Sequence, residues 1–263
     1  MAYGKTVNAF LSDTKPYQGD TFVVRFSGGA EPIAGTLGGT GLVFFPYRTS
    51  YMAILPIPAA EKPGARPLTV HFKDGEVFVR TITVRKRNFV TVNLGIPKEL
   101  GLTTNQLITK LGDEKVNIEN TVKERTDTVY FEKAFGLPLA DNRTITSPYG
   151  EIRKTGDSVI RHWGIDLKAR EGAAVGAISG GVVKRAYYDT VYGNTIIIDH
   201  GEGIYSLSMH MKEMKKKEGD RVERGTVIGL VGNTGYSTSA HLHLSIKVNS
   251  VSVDPVRFMN GFR

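Results

Sequence analysis

Apolar and turn-forming residues alternate along the N-terminal part of the chain. Runs such as TFVVRFSG, YMAILPI and RPLTVHF are rich in β-branched and aromatic side chains, and glycine, proline and Asp-Gly separate them. The segment KDGE at 73–76 has the composition of a tight turn between two such runs. About six or seven short strands at this spacing predict a small β-sandwich-like domain over residues 1–96.

The pattern changes after residue 96. Residues 97–140 are charged, poor in glycine and partly helical in periodicity, which predicts a connector with one or two helices. From residue 141 to 263, apolar runs punctuated by glycine return, among them GNTIIIDHG and GIYSLSMHM. These runs predict a second unit made of antiparallel, barrel-like β structure without a helix of useful length. The expected fold class is therefore mainly all-β.

Composition narrows the classes of function. The 263 residues are 40% hydrophobic and 23% charged, which is ordinary for a globular protein with a sizeable core. A net charge of +8 favours anionic partners such as nucleic acid, acidic lipid or an anionic envelope polymer. The basic clusters at 84–88 and 214–221 lie in no recognisable nucleic-acid motif, so we expect no nucleic-acid partner. The absence of cysteine excludes disulfides, thiolate metal sites and cysteine nucleophiles.

Targeting signals are not visible in the sequence. No apolar run approaches the roughly 18–20 residues of a membrane span. The stretch MAYGKTVNAFLSDTKP lacks a charged region followed by an apolar one, so it does not have the pattern of a signal peptide. Either the protein acts in the cytoplasm, or a signal or anchor lies outside this sequence.

Most of the histidines lie in the second half of the chain, with the spacing of a metal site. His162 precedes Asp166 by four positions, and His210 lies in the run SLSMHM. His241 and His243 are two positions apart, so in a strand their rings point to the same face. A catalytic zinc typically keeps three imidazole or carboxylate ligands and a water. One ring of the pair can therefore bind a metal while its neighbour acts on the water of that metal.

A known family carries the same motifs. HWGIDL, GNTIIIDHGEGIYSLSMHM and EGDRVERGTVIGLVGNTGYSTSAHLHL, in this order, resemble the LytM/lysostaphin-type zinc endopeptidases that cut peptidoglycan peptides. The likeness extends from about 147–153 to 253–255 and implies that residues 141–263 form a LytM-type catalytic domain. It implies that His162, Asp166 and His243 bind a single zinc ion. It also implies that His210 and His241 are catalytic histidines that handle protons and stabilise the transition state.

The chain departs from the family at the histidine pair. The family ending STG-P-HLHFE is present as STSAHLHLS, without a glycine, a proline and the acidic residue after the pair. A tyrosine often found two residues before the middle histidine is Ser208 here. The metal and catalytic positions are intact, so these departures bear on substrate preference and loop shape.

Other residues are candidates for substrate binding. Tyr192 and Asn194 belong to a predicted loop at the groove, and Thr234 and Thr238 would line the opposite wall. Arg153 either supports the site, binds a substrate carboxylate or forms a surface ion pair.

Three aromatic or imidazole side chains have structural interpretations. We expect His200 to be a hairpin-turn residue near the mouth of the site. Trp163 should pack against the strand, and His71 should be structural or surface-exposed.

The leading hypothesis is a zinc-dependent endopeptidase that hydrolyses peptide cross-links of bacterial peptidoglycan. We expect it to act as a monomer in the periplasm or elsewhere at the cell envelope, with its positive charge favouring peripheral association. A non-catalytic regulator of other wall hydrolases is the alternative, and the intact ligands argue against it. A third hypothesis, a cytoplasmic metal-dependent hydrolase of another substrate, rests only on the missing signal peptide.

Two details of the leading hypothesis stay open in the sequence. Both the D-alanine–diamino acid cross-link and glycine bridges lie within the range of the family, and the lack of a wall-targeting module favours the former. The N-terminal unit or the connector, including Asp141 and Asn142, could cover the groove.

Overall fold

The chain forms two compact units in the computed structural model, which describes residues 7–93, 103–132, 134–140, 144–155 and 158–262. One unit comprises Met1–Asn88 and Asn260–Phe262, and the other comprises Phe89–Met259. The predicted connector, residues 97–140, falls within the range of the second unit. The division into 1–96, 97–140 and 141–263 stays a prediction.

Short antiparallel strands build the first unit. They are β1 (Asn8–Leu11), β2 (Thr21–Ser27), β3 (Pro32–Leu37), β4 (Thr40–Gly41), β5 (Phe45–Tyr47), β6 (Ser50–Pro56), β7 (Gly64–Phe72) and β8 (Val77–Val84). Their order is β1-β2-β6-β5 in one sheet and β4-β3-β7-β8 in the other. The predicted turn at 73–76 is confirmed, because the Phe72 amide donates to the Glu76 carbonyl oxygen at 2.9 Å between β7 and β8.

Both sheets of the first unit contribute to one hydrophobic core. Phe22 and Phe26 come from β2, while Leu68 and Phe72 come from β7, and all are buried. The two ring centroids of Phe26 and Phe72 lie 5.1 Å apart in an edge-to-face contact. A core between two antiparallel sheets confirms the predicted sandwich-like arrangement. His71 is exposed, in agreement with its predicted surface position.

The second unit contains the strands and helices that follow. They are β9 (Thr91–Asn93), α1 (Thr104–Val122), β10 (Ile145–Ser147), β11 (Ile152–Thr155), β12 (Ser158–Arg161), β13 (Ile165–Lys168), β14 (Ala174–Gly176), β15 (Gly181–Asp189), β16 (Gly193–Gly201), β17 (Ile204–Met214), β18 (Arg221–Val222), β19 (Val227–Val231), β20 (His241–Val248), β21 (Val251–Val253) and α2 (Pro255–Gly261). The central path is β10-β13-β20-β17-β16-β15-β18, paired antiparallel, with β14, β19 and β21 off this path. A smaller sheet has the order β12-β11-β9. Helix α2 was not predicted, because its seven residues are too few to display a helical period.

Helix α1 covers one face of the central sheet. Its Ile118 and Val122 pack against Ile197 of β16 and Leu207 of β17. The helix begins in a capping box, in which the Gln106 backbone amide donates to the Thr103 hydroxyl oxygen at 3.3 Å. Burial on both faces explains why β16 and β17 carry nearly continuous apolar runs. Part of the predicted connector therefore belongs to the core of the second unit. Among the described helices, none is long and apolar enough to cross a membrane.

His200 is a core residue, so its predicted position in a hairpin turn is wrong. It lies within β16 and is fully buried, with Nδ1 2.6 Å from the Gly180 carbonyl oxygen and Nε2 2.8 Å from the Ser206 hydroxyl. The ring of Phe135 contacts it edge-on at 5.3 Å. The strand continues through the polar DHG segment because these internal hydrogen bonds satisfy the imidazole.

Burial of His200 should make stability depend on pH. Burial lowers its pKa from 6.5 to about 4. The unfolded chain therefore binds this proton more readily, and stability should be complete above pH 6.5 and fall as the pH drops from there to 4. Replacing His200 with Gln should remove up to about 3 kcal/mol of this pH dependence. Urea unfolding of wild type and His200→Gln across that range measures the difference, and parallel pH profiles would contradict the prediction.

Candidate active site

Pairing of two strands brings the central residues of the site together. Strands β13 and β20 are antiparallel neighbours, and Asp166 lies directly opposite His243 in this pairing. On the other side of β20, Met209 of β17 also pairs with His243, which places His210 next to the same point. His162 precedes β13 closely. Residues far apart in sequence thus converge at adjacent strand ends.

His162, Asp166 and His243 form a compact buried group. Asp166 Oδ1 lies 3.0 Å from His162 Nε2 and 2.8 Å from His243 Nδ1, and the two ring nitrogens are 2.9 Å apart. Two imidazoles and a carboxylate, with one ligand atom each within 4.8 Å of the others, could hold a metal ion.

The positions of the ring protons in this group favour a bound cation. His162 Nδ1 lies 3.0 Å from the Pro148 carbonyl oxygen. A carbonyl only accepts hydrogen bonds, so in the neutral ring the proton is on Nδ1 and Nε2 presents a lone pair to the Asp166 carboxylate. Two acceptors at 3.0 Å repel each other unless a positive charge lies between them. The group therefore fits a metal ion.

The charge states also suit metal binding. Asp166 forms an ion pair with Arg153 at 3.0 Å, and this positive charge favours the carboxylate form. Burial lowers the pKa of His243 to about 4. Near neutral pH the group therefore contains a carboxylate and a neutral imidazole, which are the forms that bind a metal.

His210 and His241 lie beside this group. Their ring centroids are 4.9 Å apart, and the His210 and His243 centroids are 6.1 Å apart. His210 Nδ1 lies 2.8 Å from the Thr234 carbonyl oxygen, and His241 Nδ1 lies 2.8 Å from that of Ser239. Each neutral ring therefore carries its proton on Nδ1 and leaves Nε2 as a base. His241 Nε2 is 3.7 Å from Asp166 Oδ1, so it faces the group.

His210 has a strained backbone. Its φ of 61° lies in the left-handed region, which non-glycine residues seldom adopt. The register between β17 and β19 shifts just beyond it, between Met211 and Glu213. The His210 amide donates to the Tyr192 carbonyl oxygen at 2.8 Å, which holds this conformation. Strain of this kind often accompanies a functional side chain that the regular strand would aim elsewhere.

Arg153 supports Asp166. Its Nη2 lies 3.0 Å from Asp166 Oδ2 and 2.6 Å from the Ser147 hydroxyl, while its Nε donates to Glu151 at 2.8 Å. Oδ2 is thereby bound to the guanidinium, and Oδ1 is directed to the histidines. The sequence alone does not reveal Ser147 or Glu151 as partners, because their contacts depend on how β10 meets β11.

Loss of Arg153 should weaken metal binding. Substitution by Gln removes the cation that orients Asp166, and such supporting contacts are typically worth about 10–100-fold in metal affinity. Arg87→Gln is a matched control, because Arg87 forms a comparable bridge to Asp20, 2.6 Å long, in the first unit. Competition with a chelating dye measures both variants. Equal affinities for Arg153→Gln and wild type would show that the bridge does not support the ligand.

The candidate substrate-binding residues lie around the same strand ends. The Tyr192 ring centroid is 6.4 Å from those of both His210 and His243. The Asn194 side chain donates to the Met211 carbonyl oxygen at 2.9 Å, and the Thr234 hydroxyl donates to the same oxygen at 2.8 Å. These contacts support the position of His210 from within the fold.

The remaining candidates differ in what the structure describes. Thr238 is exposed in the loop before β20. Asp141 and Asn142, which were considered as a cover for the groove, lie outside the described residues. Contact of Tyr192, Asn194, Arg153, Thr234 or Thr238 with a substrate stays a prediction.

Trp163 does not pack against the strand as predicted. Its side chain is 42% exposed, next to the Tyr149 ring at 6.0 Å and the Arg161 guanidinium at 5.4 Å. Successive side chains of an extended segment point in opposite directions, so the inward ring of His162 places Trp163 outside. The next position requires glycine, because a Cβ on Gly164 would lie 2.6 Å from His243 Nε2.

Comparison with known proteins identifies the region that contains these residues. Residues 160–255 match the family model described as Peptidase family M23. This range includes the group of His162, Asp166 and His243 and both flanking histidines. Residues 160–255 form an M23 peptidase domain. The match supports the LytM/lysostaphin-type resemblance of the motifs and implies a bound metal.

Several relatives of the M23 domain are named as peptidases. A DD-carboxypeptidase/endopeptidase Mpg of Neisseria meningitidis is 38% identical over 120 residues, which are 45% of this chain and 27% of that protein. The peptidoglycan DD-endopeptidase ShyC of Vibrio cholerae is 30% identical over 126 residues, 47% of this chain and 29% of that protein. The glycyl-glycine endopeptidase ALE-1 of Staphylococcus capitis is 38% identical over 106 residues, 38% and 29% of the respective chains. The chain thus spans less than a third of the length of these relatives.

A solved structure shares the fold over nearly the whole chain. A crystal structure from Pseudomonas aeruginosa, described as an M23 peptidase, has a TM-score of 0.68 at 24% identity and covers 94% of this chain and 96% of that one. At this identity the likeness concerns the fold. It confirms the mainly β architecture.

Proposed function

We propose that this protein is a zinc-dependent endopeptidase that hydrolyses peptide cross-links of bacterial peptidoglycan. The observation that carries the proposal is the group of His162, Asp166 and His243 with two further histidines beside it, all within an M23 domain. The names of the relatives support the reaction and the substrate. A substrate of this kind favours action at the cell envelope, in the periplasm or outside the cell.

The ligand set supports zinc as the metal. Two imidazoles and one carboxylate are a recurrent protein ligand set of catalytic zinc, which retains an open position. When bound, zinc lowers the pKa of water towards 7 and polarises the carbonyl group of the scissile bond.

The flanking histidines would move the protons. His241 Nε2 is an acceptor 3.7 Å from the Asp166 carboxylate, so this nitrogen faces the proposed metal site. We therefore assign His241 as the base that takes a proton from water and then donates it to the leaving amine. His210 is more deeply buried, and a positive charge on its ring is less favourable. We assign it to orienting the water and stabilising the transition state.

We favour the cross-link between D-alanine and a diamino acid as the bond that is cut. Two relatives with DD names match over 120 and 126 residues, whereas the glycyl-glycine endopeptidase matches over 106. The altered STSA and Ser245 around the histidine pair lie where the chain departs from the family ending, so its own preference should reside there.

Digestion of two purified peptidoglycans tests the proposal. One is cross-linked directly between D-alanine and a diamino acid, and the other through glycine bridges. We expect the first to yield new peptide termini by mass spectrometry, with cleavage lost in chelator and restored by zinc. Cleavage of only the glycine-bridged peptidoglycan would show that the glycine bridge, and not the D-alanine–diamino acid bond, is the substrate. Protein that binds no stoichiometric metal and releases no product from either substrate would contradict the proposal and favour a regulator of other wall hydrolases.

A further inference from the structure

We infer that Ser245 is a positioning residue that sets the tautomer of His243 and so presents Nδ1 of that ring to the metal. The inference rests on the proposed metal site. It concerns a residue at the position where the family ending has an acidic side chain and this chain has a hydroxyl.

Ser245 lies between His243 and the segment that contains His162. It follows His243 by two positions in β20, so both side chains point to the same face of the strand. Its Oγ is 3.1 Å from His243 Nε2 and 2.6 Å from the Trp163 carbonyl oxygen. Ser245 and His243 are both buried, so these partners replace water.

Proton counting assigns the direction of each hydrogen bond. The hydroxyl has one proton, and the Trp163 carbonyl oxygen can only accept it. Toward His243 the Ser245 oxygen must therefore accept. With a cation between Nδ1 and the Asp166 carboxylate, the proton of the neutral ring is on Nε2 and is donated to Ser245. Nδ1 then presents its lone pair 2.8 Å from Asp166 Oδ1 and 2.9 Å from His162 Nε2. The hydroxyl thus selects the nitrogen that binds the metal.

The close approach of the chain at Gly164 makes this contact possible. A Cβ on Gly164 would lie 2.7 Å from Ser245 Oγ and 2.5 Å from the Leu244 carbonyl oxygen. Any larger residue would push the Trp163 carbonyl group away from the hydroxyl. Ser245 and Gly164 therefore act together, and they connect the two histidine ligands through the carbonyl group between His162 and Gly164.

The hydroxyl orients the ring without adding charge. A carboxylate at such a position would make the imidazole more basic and offset part of the metal charge. With serine, the negative charge around the metal comes from Asp166, whose other oxygen is already bound to Arg153. A bound metal would consequently retain more of its positive charge.

Metal affinity and the Nε2 proton of His243 test this inference. Ser245→Ala should lower zinc affinity by about 10–100-fold, as loss of a supporting contact to a ligand does. In zinc-loaded protein with labelled histidine, ¹H–¹⁵N correlation spectra should show the His243 Nε2 proton as a slowly exchanging signal, because it is donated to a buried hydroxyl. Ser245→Ala should make this proton exchange with water faster. Ser245→Thr, which retains the hydroxyl, should restore the signal and most of the affinity.

A matched control exists in the same sheet. The Ser206 hydroxyl is 2.8 Å from Nε2 of the buried His200, outside the metal-binding group. Ser206→Ala should leave zinc affinity and the His243 signal unchanged, which separates the effect of the Ser245 contact from general loss of a buried hydroxyl. Thermal unfolding shows that each variant is folded.

The inference is overturned if folded Ser245→Ala binds zinc as wild type does, or if its His243 Nε2 proton exchanges as slowly as in wild type. Zinc binding and the spectra of zinc-loaded protein need no catalysis, so they test Ser245 even if the wild type cleaves no peptidoglycan. Failure of the proposed function would appear separately, as wild-type protein that neither binds zinc nor releases peptides.

Discussion

His162→Ala should remove both the metal and the hydrolysis. His162 Nε2 contacts both other members of the group, within 3.0 Å, so its loss leaves only two ligands. We expect less than stoichiometric zinc and a fall in kcat/KM of at least about a thousandfold. That fall corresponds to about 4 kcal/mol of transition-state stabilisation. Metal analysis and peptide release are measured on the same sample.

His200→Gln is the control for this prediction. His200 is a buried histidine in the same sheet, but its partners are Gly180 and Ser206 and it does not belong to the group. It should retain zinc and activity at neutral pH. Full zinc content and wild-type rates in His162→Ala would show that the metal lies elsewhere.

His241→Ala should separate catalysis from metal binding. The three ligands are untouched, so zinc content should stay at the wild-type level. Loss of a positioned general base typically lowers kcat by about 10²–10⁴-fold. Steady-state kinetics on a defined cross-linked peptide measure kcat and KM separately. We expect the loss in kcat, because the proton moves in the transition state.

His210→Ala provides the comparison within the site. It should also retain zinc, with a smaller loss of kcat than His241→Ala if His241 is the base. A larger loss in His210→Ala would reverse the two assignments. Loss of zinc from either variant would show that the residue belongs to the ligand set.

The alternation of β20 was readable from the sequence. A period of two places His241 and His243 on one face, and the structure places their nitrogens 3.7 Å and 2.8 Å from the same oxygen of Asp166. Period and composition also predicted the sandwich-like first unit and the antiparallel second unit. These features depend on local pattern, which the sequence displays directly.

The contacts that support the site could not be predicted from the sequence. Asp166 contacts Arg153, His210 contacts the Thr234 carbonyl group, and His243 contacts Ser245. No local sequence pattern predicts which groups contact a site residue in the folded chain. His200 was misplaced for a related reason. Its polar DHG segment has the composition of a turn, yet the Gly180 carbonyl group and Ser206 satisfy it inside the sheet. Tertiary hydrogen bonds thus override local composition.

Helix α1 shows how packing changes the meaning of a segment. Charge and helical period correctly indicated a helix within 97–140, but not that Ile118 and Val122 cover β16 and β17. A truncation that removes residues 1–140 would expose this face of the sheet. Any test of whether the N-terminal part covers the groove therefore needs to retain α1.

Zinc titration of metal-free protein tests the central claim most directly. Cleavage of a directly cross-linked peptidoglycan is measured as zinc is added in substoichiometric steps, with products identified by mass spectrometry. A single site of His162, Asp166 and His243 predicts that peptide release rises linearly and reaches its plateau at about one zinc per chain. Cleavage that is independent of zinc, or a plateau far from one equivalent, would contradict the account.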